Sequence, residues 1–128
     1  MKTRAVRLYA ANDLRLEEFD LPEIKEDEIL VKVITDSICM STYKAAIQGT
    51  KHKRVPPDID RNPIIIGHEF AGEIVEVGDK WKHQFKAGEK FAIQPALNYK
   101  GSLYSPGYSF PFFGGATTYT VIPHQVME

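Results

Sequence analysis

Apolar residues in this chain fall in short runs with a period of two, each closed within a few positions by glycine, proline or an Asn-Asp pair. Such runs make half-buried strands, whose side chains alternate between faces, and they leave little sequence for long helices. Thr3 to Tyr9 and Leu14 to Phe19 alternate apolar with charged residues, and Asn12-Asp13 supplies turn chemistry between them, so an opening hairpin is expected. The β-branched run Ile29 to Ile34 reads as a more deeply buried strand that delivers the chain to Ser37-Ile38-Cys39. Further strands are expected at Pro63 to Ile66, Ile74 to Val77, Lys90 to Gln94 and Ala116 to Ile122. A short helix capped by Ser41 and stopped by Gly49 fits Thr42 to Gln48. Thr50 to Asn62 reads as a polar surface loop, and Pro95 to Gly115 as an irregular lobe packed by its own aromatic rings. The pattern predicts a mainly β, partly open barrel with one or two short helices.

Size limits what this barrel can accompany. With 128 residues, 43% of them hydrophobic, residues 1–128 suit one domain with its own core and leave no room for a dinucleotide-binding partner. A formal net charge of -1 gives no reason to expect nucleic acid as a partner, and points instead to a small molecule. No stretch approaches the ~20 apolar residues of a membrane span, and the N-terminus carries no signal-peptide run, so a soluble, cytoplasmic chain is expected. The single cysteine, Cys39, has no partner for an internal disulfide. Packing, metal binding or nucleophilic chemistry is left for it.

Gly67-His68-Glu69 follows the apolar Pro63 to Ile66 directly. An arbitrary His-Glu pair is more often a hydrogen-bonded loop histidine beside a solvated carboxylate than a ligand pair. Cys39, at the end of another expected strand, changes the odds if the two strands share a sheet. Thiolate, imidazole and carboxylate make a three-donor set suited to zinc, with a fourth position open as catalytic sites require.

Four stretches in order then resemble the medium-chain zinc-dependent dehydrogenases: Cys39-Met40-Ser41-Thr42, Gly67 through Gly78, Phe85 through Phe91, and Gly114-Gly115-Ala116-Thr117-Thr118-Tyr119 with Val121-Ile122-Pro123. Within that family the likeness runs to the L-sorbose 1-phosphate reductase group, through Asp36 to Thr42, His52 to Pro56, Pro63 to Glu69 and Pro106 to Phe110. The resemblance implies a GroES-like barrel in which Cys39 and His68 ligate one catalytic zinc, and Glu69 is a ligand or its close neighbour. It implies that Ser41 relays the substrate proton, while zinc polarises the substrate oxygen and NAD(P)(H) exchanges hydride with the adjacent carbon.

The departures from that family are equally informative. Thr42 stands where many members carry an aspartate that steadies the zinc histidine, so that support is weaker here or comes from elsewhere. Lys44 occupies the place of a relay histidine, leaving it a proton shuttle, an attraction for an anionic substrate or an ordinary solvated helix lysine. Pro95 to Gly115 lacks the four cysteines of a structural zinc lobe, so Tyr99, Tyr104, Tyr108, Phe110, Phe112 and Phe113 are expected to pack it instead. Lys53 and Arg54, in a basic stretch, could bind a substrate phosphate, although a basic loop is more often plain solvated surface. His52, His83 and His124 show no ligand partners at telling spacing.

No G-x-G-x-x-G turn occurs in the sequence. The nucleotide-binding domain of the family is therefore expected to lie outside these residues, and the chain alone to lack a cofactor site, a complete zinc shell and turnover. The expected whole is an NAD(P)(H)-dependent oxidoreductase of a polyol or sugar phosphate, L-sorbose 1-phosphate and glucitol 6-phosphate being the specific pair. A homo-oligomer would be in keeping with the family. The competing reading is a non-catalytic module on the same barrel, which would have no use for Cys39, His68 and Glu69 together.

Overall fold

The computed structural model describes residues 1–37, 39–93 and 105–127. It opens with the hairpin: β1 (Lys2–Ala10) pairs antiparallel with β2 (Asp13–Asp20), and Asn12 takes the left-handed turn conformation at φ 61°. β3 (Ile29–Asp36) leads into helix α1 (Met40–Gln48); β4 (Ile64–Ile65) and β5 (Phe70–Val77) follow. β6 (Lys90–Ala92), β7 (Tyr119–Ile122) and a one-turn helix α2 (His124–Met127) complete the described elements. None of the described helices is long and apolar enough to cross a membrane.

Two antiparallel sheets result, in the orders β2-β1-β4 and β6-β5-β3-β7. They remain open rather than closing into one cylinder, but an isolated bridge between Ala5 and Thr117 ties them together. Thr3, buried in β1, strengthens that tie: its Oγ1 accepts a hydrogen bond from the Tyr119 N–H at 2.9 Å and lies 2.7 Å from Thr117 Oγ1. β3 occupies the centre of its sheet, which explains why Ile29, Leu30 and Val31 are all buried; its later residues rise to an exposed rim. β5 alternates, burying Phe70, Gly72 and Ile74.

One apolar core gathers Ile29, Val31, Phe70, Ile74, Phe113 and Ile122, with Phe70 and Phe113 in edge contact at 5.7 Å. A second gathers Leu8, Ala45, Val55, Ile59, Ile64, Ile66 and Tyr108. The second core corrects the reading of residues 50–62 as plain surface: Val55 and Ile59 are buried and anchor that loop. Ser41 is not the helix cap. Cys39 is, in an extended conformation with φ −121°, and its carbonyl oxygen accepts from the N–H groups of Thr42 and Tyr43 at 3.0 and 3.3 Å. The helix does stop at Gly49. β4, β6 and β7 are shorter than the apolar runs that foretold them, and Gln94, Tyr99 and Tyr104 lie outside the described residues.

Candidate metal centre

Cys39 and His68 meet because β3 and β5 are partners. Asp36 pairs with Phe70, and the Ser37 N–H donates to the Glu69 carbonyl at 2.8 Å, so the residues leaving β3 sit beside those entering β5. The donor atoms of Cys39, His68 and Glu69 all lie within 4.8 Å of one another, the one such group among the described residues. A tetrahedral zinc with bonds of about 2.0–2.3 Å holds its donors roughly 3.3–3.7 Å apart, so the cluster would tighten by up to about 1.5 Å around an ion. Cys39 caps α1 through its backbone and makes no side-chain capping bond, which leaves the thiol available.

His68 is 6% exposed, and its two ring nitrogens face different partners. Nε2 lies 3.4 Å from Glu69 Oε1, on the side of the donor cluster. Nδ1 lies 3.2 Å from the Tyr108 hydroxyl and 3.4 Å from Thr42 Oγ1. An imidazole with oxygen partners at one nitrogen and a carboxylate beside the other, in a cluster that includes a thiol, fits a zinc ligand. Thr42 thus stands next to the histidine but at a long distance, and Tyr108 makes the shorter contact.

Tyr108 reaches the site because Gly107 lies directly on the backbone of Gly67; a Cβ on Gly107 would fall 2.4 Å from the Gly67 carbonyl carbon. The turn is clamped from the other side. Arg54 Nη1 donates to Ser105 Oγ at 2.7 Å, the Ser109 hydroxyl donates to the Arg54 carbonyl at 2.6 Å, and the Ser105 N–H donates to Ser109 Oγ at 3.0 Å. The Tyr108 ring stacks against His68 and also against His52, each at 5.2 Å between centroids. Burial pushes the phenol pKa up, opposed by a hydrogen bond with Ser41 and raised further by the nearby Cys39. Burial also holds His52 low, helped by the charges of Arg54 and Lys53.

Of the residues singled out by sequence, Ser41 and Arg54 are half-buried, and both act on the Tyr108 phenol. Lys44 and Lys53 are exposed. Tyr108 and His52 were not singled out for the site. The sequence favours lobe packing for Tyr108, and the available signal is Pro106-Gly107-Tyr108, a turn able to present one ring against a close backbone. Asp36, on the same rim, is exposed as a residue, yet its carboxylate faces Gly67 and Gly115 closely enough that a Cβ on either would come within 2.5 Å of it. Desolvation pushes its pKa up to about 6, against a hydrogen bond from the Ser37 backbone, with a further upward push from Glu69.

A family model described as the alcohol dehydrogenase GroES-like domain matches residues 25–128. The chain is 54% identical to L-sorbose 1-phosphate reductase of Klebsiella pneumoniae over 98% of its own length and 30% of the relative's. It is 53% identical to mannitol-1-phosphate 5-dehydrogenase of Aliivibrio fischeri, over 99% of this chain and 30% of that one. In fold it resembles a cobalt- and zinc-bound thermostable alcohol dehydrogenase from Pyrobaculum aerophilum, with a TM-score of 0.75 and 20% identity across 96% of this chain and 40% of that one. The chain therefore spans about a third of the length of the curated relatives it matches.

Proposed function

The chain belongs to the alcohol dehydrogenase GroES-like domain family, and on that premise we propose that residues 1–128 form the zinc- and substrate-binding domain of an NAD(P)(H)-dependent oxidoreductase. Its substrate is a polyol or sugar phosphate, with L-sorbose 1-phosphate and glucitol 6-phosphate as the specific pair. The observation that carries this reading is the convergence of Cys39, His68 and Glu69 within 4.8 Å at one end of the β3–β5 pair.

Zinc bound there would supply Lewis-acid polarisation of the substrate oxygen. The residues around it divide the remaining tasks. Cys39 and His68 hold the ion, with Glu69 as third donor or close neighbour. Ser41, in the first turn of α1 and close enough to act on the Tyr108 phenol, carries the substrate proton. Arg54, fixed by Ser105, and the exposed Lys53 attract the phosphate, and Lys44 adds positive charge on α1. The substrate phosphates named for the two relatives support that assignment. The nicotinamide cofactor belongs to a separate nucleotide-binding domain, so these residues alone should not turn over NAD(P)H.

A competition titration with a chromophoric zinc chelator tests the centre. With its shell incomplete, the chain is expected to bind one zinc weakly, and Cys39→Ala and His68→Ala each to abolish that binding while keeping the wild-type circular dichroism spectrum. Zinc uptake unchanged in both variants would refute the centre and favour a non-catalytic module.

A further inference from the structure

Thr42 leaves open what steadies the zinc histidine, since no carboxylate stands in its place. Among the described residues, two side-chain oxygens approach His68 Nδ1: Thr42 Oγ1 at 3.4 Å and the Tyr108 hydroxyl at 3.2 Å. The 3.2 Å contact lies within the usual N–H···O range and the 3.4 Å one beyond it, and the shorter contact also comes with a stacked ring and a clamped turn. We infer that Tyr108 is the positioning residue of the centre: its hydroxyl accepts the Nδ1–H of His68 and turns Nε2 toward Cys39 and Glu69.

The inference rests on the zinc reading above, because only a metal on Nε2 obliges the ring proton to sit on Nδ1. The Tyr108 phenol also feels Ser41, the hydroxyl assigned to the substrate. Three independent features fix its ring: stacking on His52, stacking on His68, and the approach of Gly107 to Gly67. Its turn is further locked to Arg54 through Ser105 and Ser109. Phenol oxygen thus replaces carboxylate as the outer partner of the histidine, a neutral acceptor in place of an anionic one.

The test uses zinc and cobalt(II) as probes on the whole chain. Tyr108→Phe keeps the ring and its stacking and removes only the hydroxyl. Loss of an outer partner typically weakens metal binding about 10–100-fold, so zinc affinity is expected to fall by roughly tenfold or more, with a shifted cobalt visible spectrum. Adding Thr42→Asp to that variant is expected to restore affinity by supplying a carboxylate to the same nitrogen. In zinc-loaded wild-type protein, the His68 Nδ1–H should resist exchange with water and show a nuclear Overhauser contact with the Tyr108 ring. A Tyr108→Phe protein that binds both metals as the wild type does would overturn the inference, and so would a rapidly exchanging Nδ1–H. If wild type and His68→Ala take up zinc alike, the zinc reading itself has failed, and the positioning role falls with it.

Discussion

Gly67 offers a measurable link between backbone geometry and the candidate metal centre. Its φ is +98°, a conformation that L side chains rarely adopt. Gly88 has almost the same φ, +93°, but lies in open space, with nothing within 4 Å of the point where a Cβ would stand. The two glycines therefore separate conformational strain from crowding. Holding alanine in such a conformation costs on the order of 1–3 kcal/mol, and this should be the whole cost of Gly88→Ala. Gly67→Ala carries the same strain and adds a Cβ 2.5 Å from Asp36 Oδ2 and 3.0 Å from the Ala116 nitrogen. Overpacking of this kind costs typically about 1–3 kcal/mol more, giving a total of roughly 2–6 kcal/mol. Against a domain stability of about 5–15 kcal/mol, the larger value is close to unfolding.

Urea denaturation can be followed through Trp81, the one tryptophan in the sequence, whose indole N–H donates to the Asp27 carbonyl at 3.0 Å. The second substitution Asp36→Ala removes the carboxylate from the path of the new Cβ and should return part of the crowding cost. Gly67→Ala no less stable than Gly88→Ala, or a double variant whose effects simply add, would refute the close packing argued for the turn before His68.

Asp36 also predicts a pH dependence. Its native pKa is about 6, above the ordinary carboxylate value of 3.8, so between those values the folded chain binds more protons than the unfolded one. The Asp36 contribution to stability is therefore full below about pH 4 and is lost as the pH rises through 6. The stability difference between Asp36→Asn and wild type should move in the variant's favour from pH 4 to pH 7 in urea titrations; a constant difference would contradict the assignment. Thr3→Val removes the oxygen that receives the Tyr119 N–H and should cost about 1–3 kcal/mol in the same assay. A loss below about 0.5 kcal/mol would show that this bond does little to hold the two sheets together.

The opening hairpin was readable because its signals are local: alternation along each strand and Asn12 at the turn. The proximity of the candidate donors was readable for a similar reason, since Cys39 and Gly67-His68-Glu69 each flank a strong strand run. Capping at α1 was misread because Ser41 has the favoured side chain, whereas the backbone of Cys39 has the cap geometry. Residues 50–62 look polar on average, yet burial of two residues, Val55 and Ile59, decides where the segment lies. Tyr108 could not be placed from spacing at all. Its approach to His68 depends on Gly107 meeting Gly67 and on Arg54 reaching Ser105, contacts between segments far apart in the chain.

The pairing of Asp36 with Phe70 separates two kinds of evolutionary change. Cys39 and His68 sit at the two ends of an excursion, residues 40–67, that leaves the sheet and returns to it. As long as the strands beneath stay in register, the tips of that excursion can be rewritten without moving the donors. On the proposed reading, exposed positions of that excursion such as Lys53 can change which ligand is admitted while the strand pairing keeps the candidate donors together.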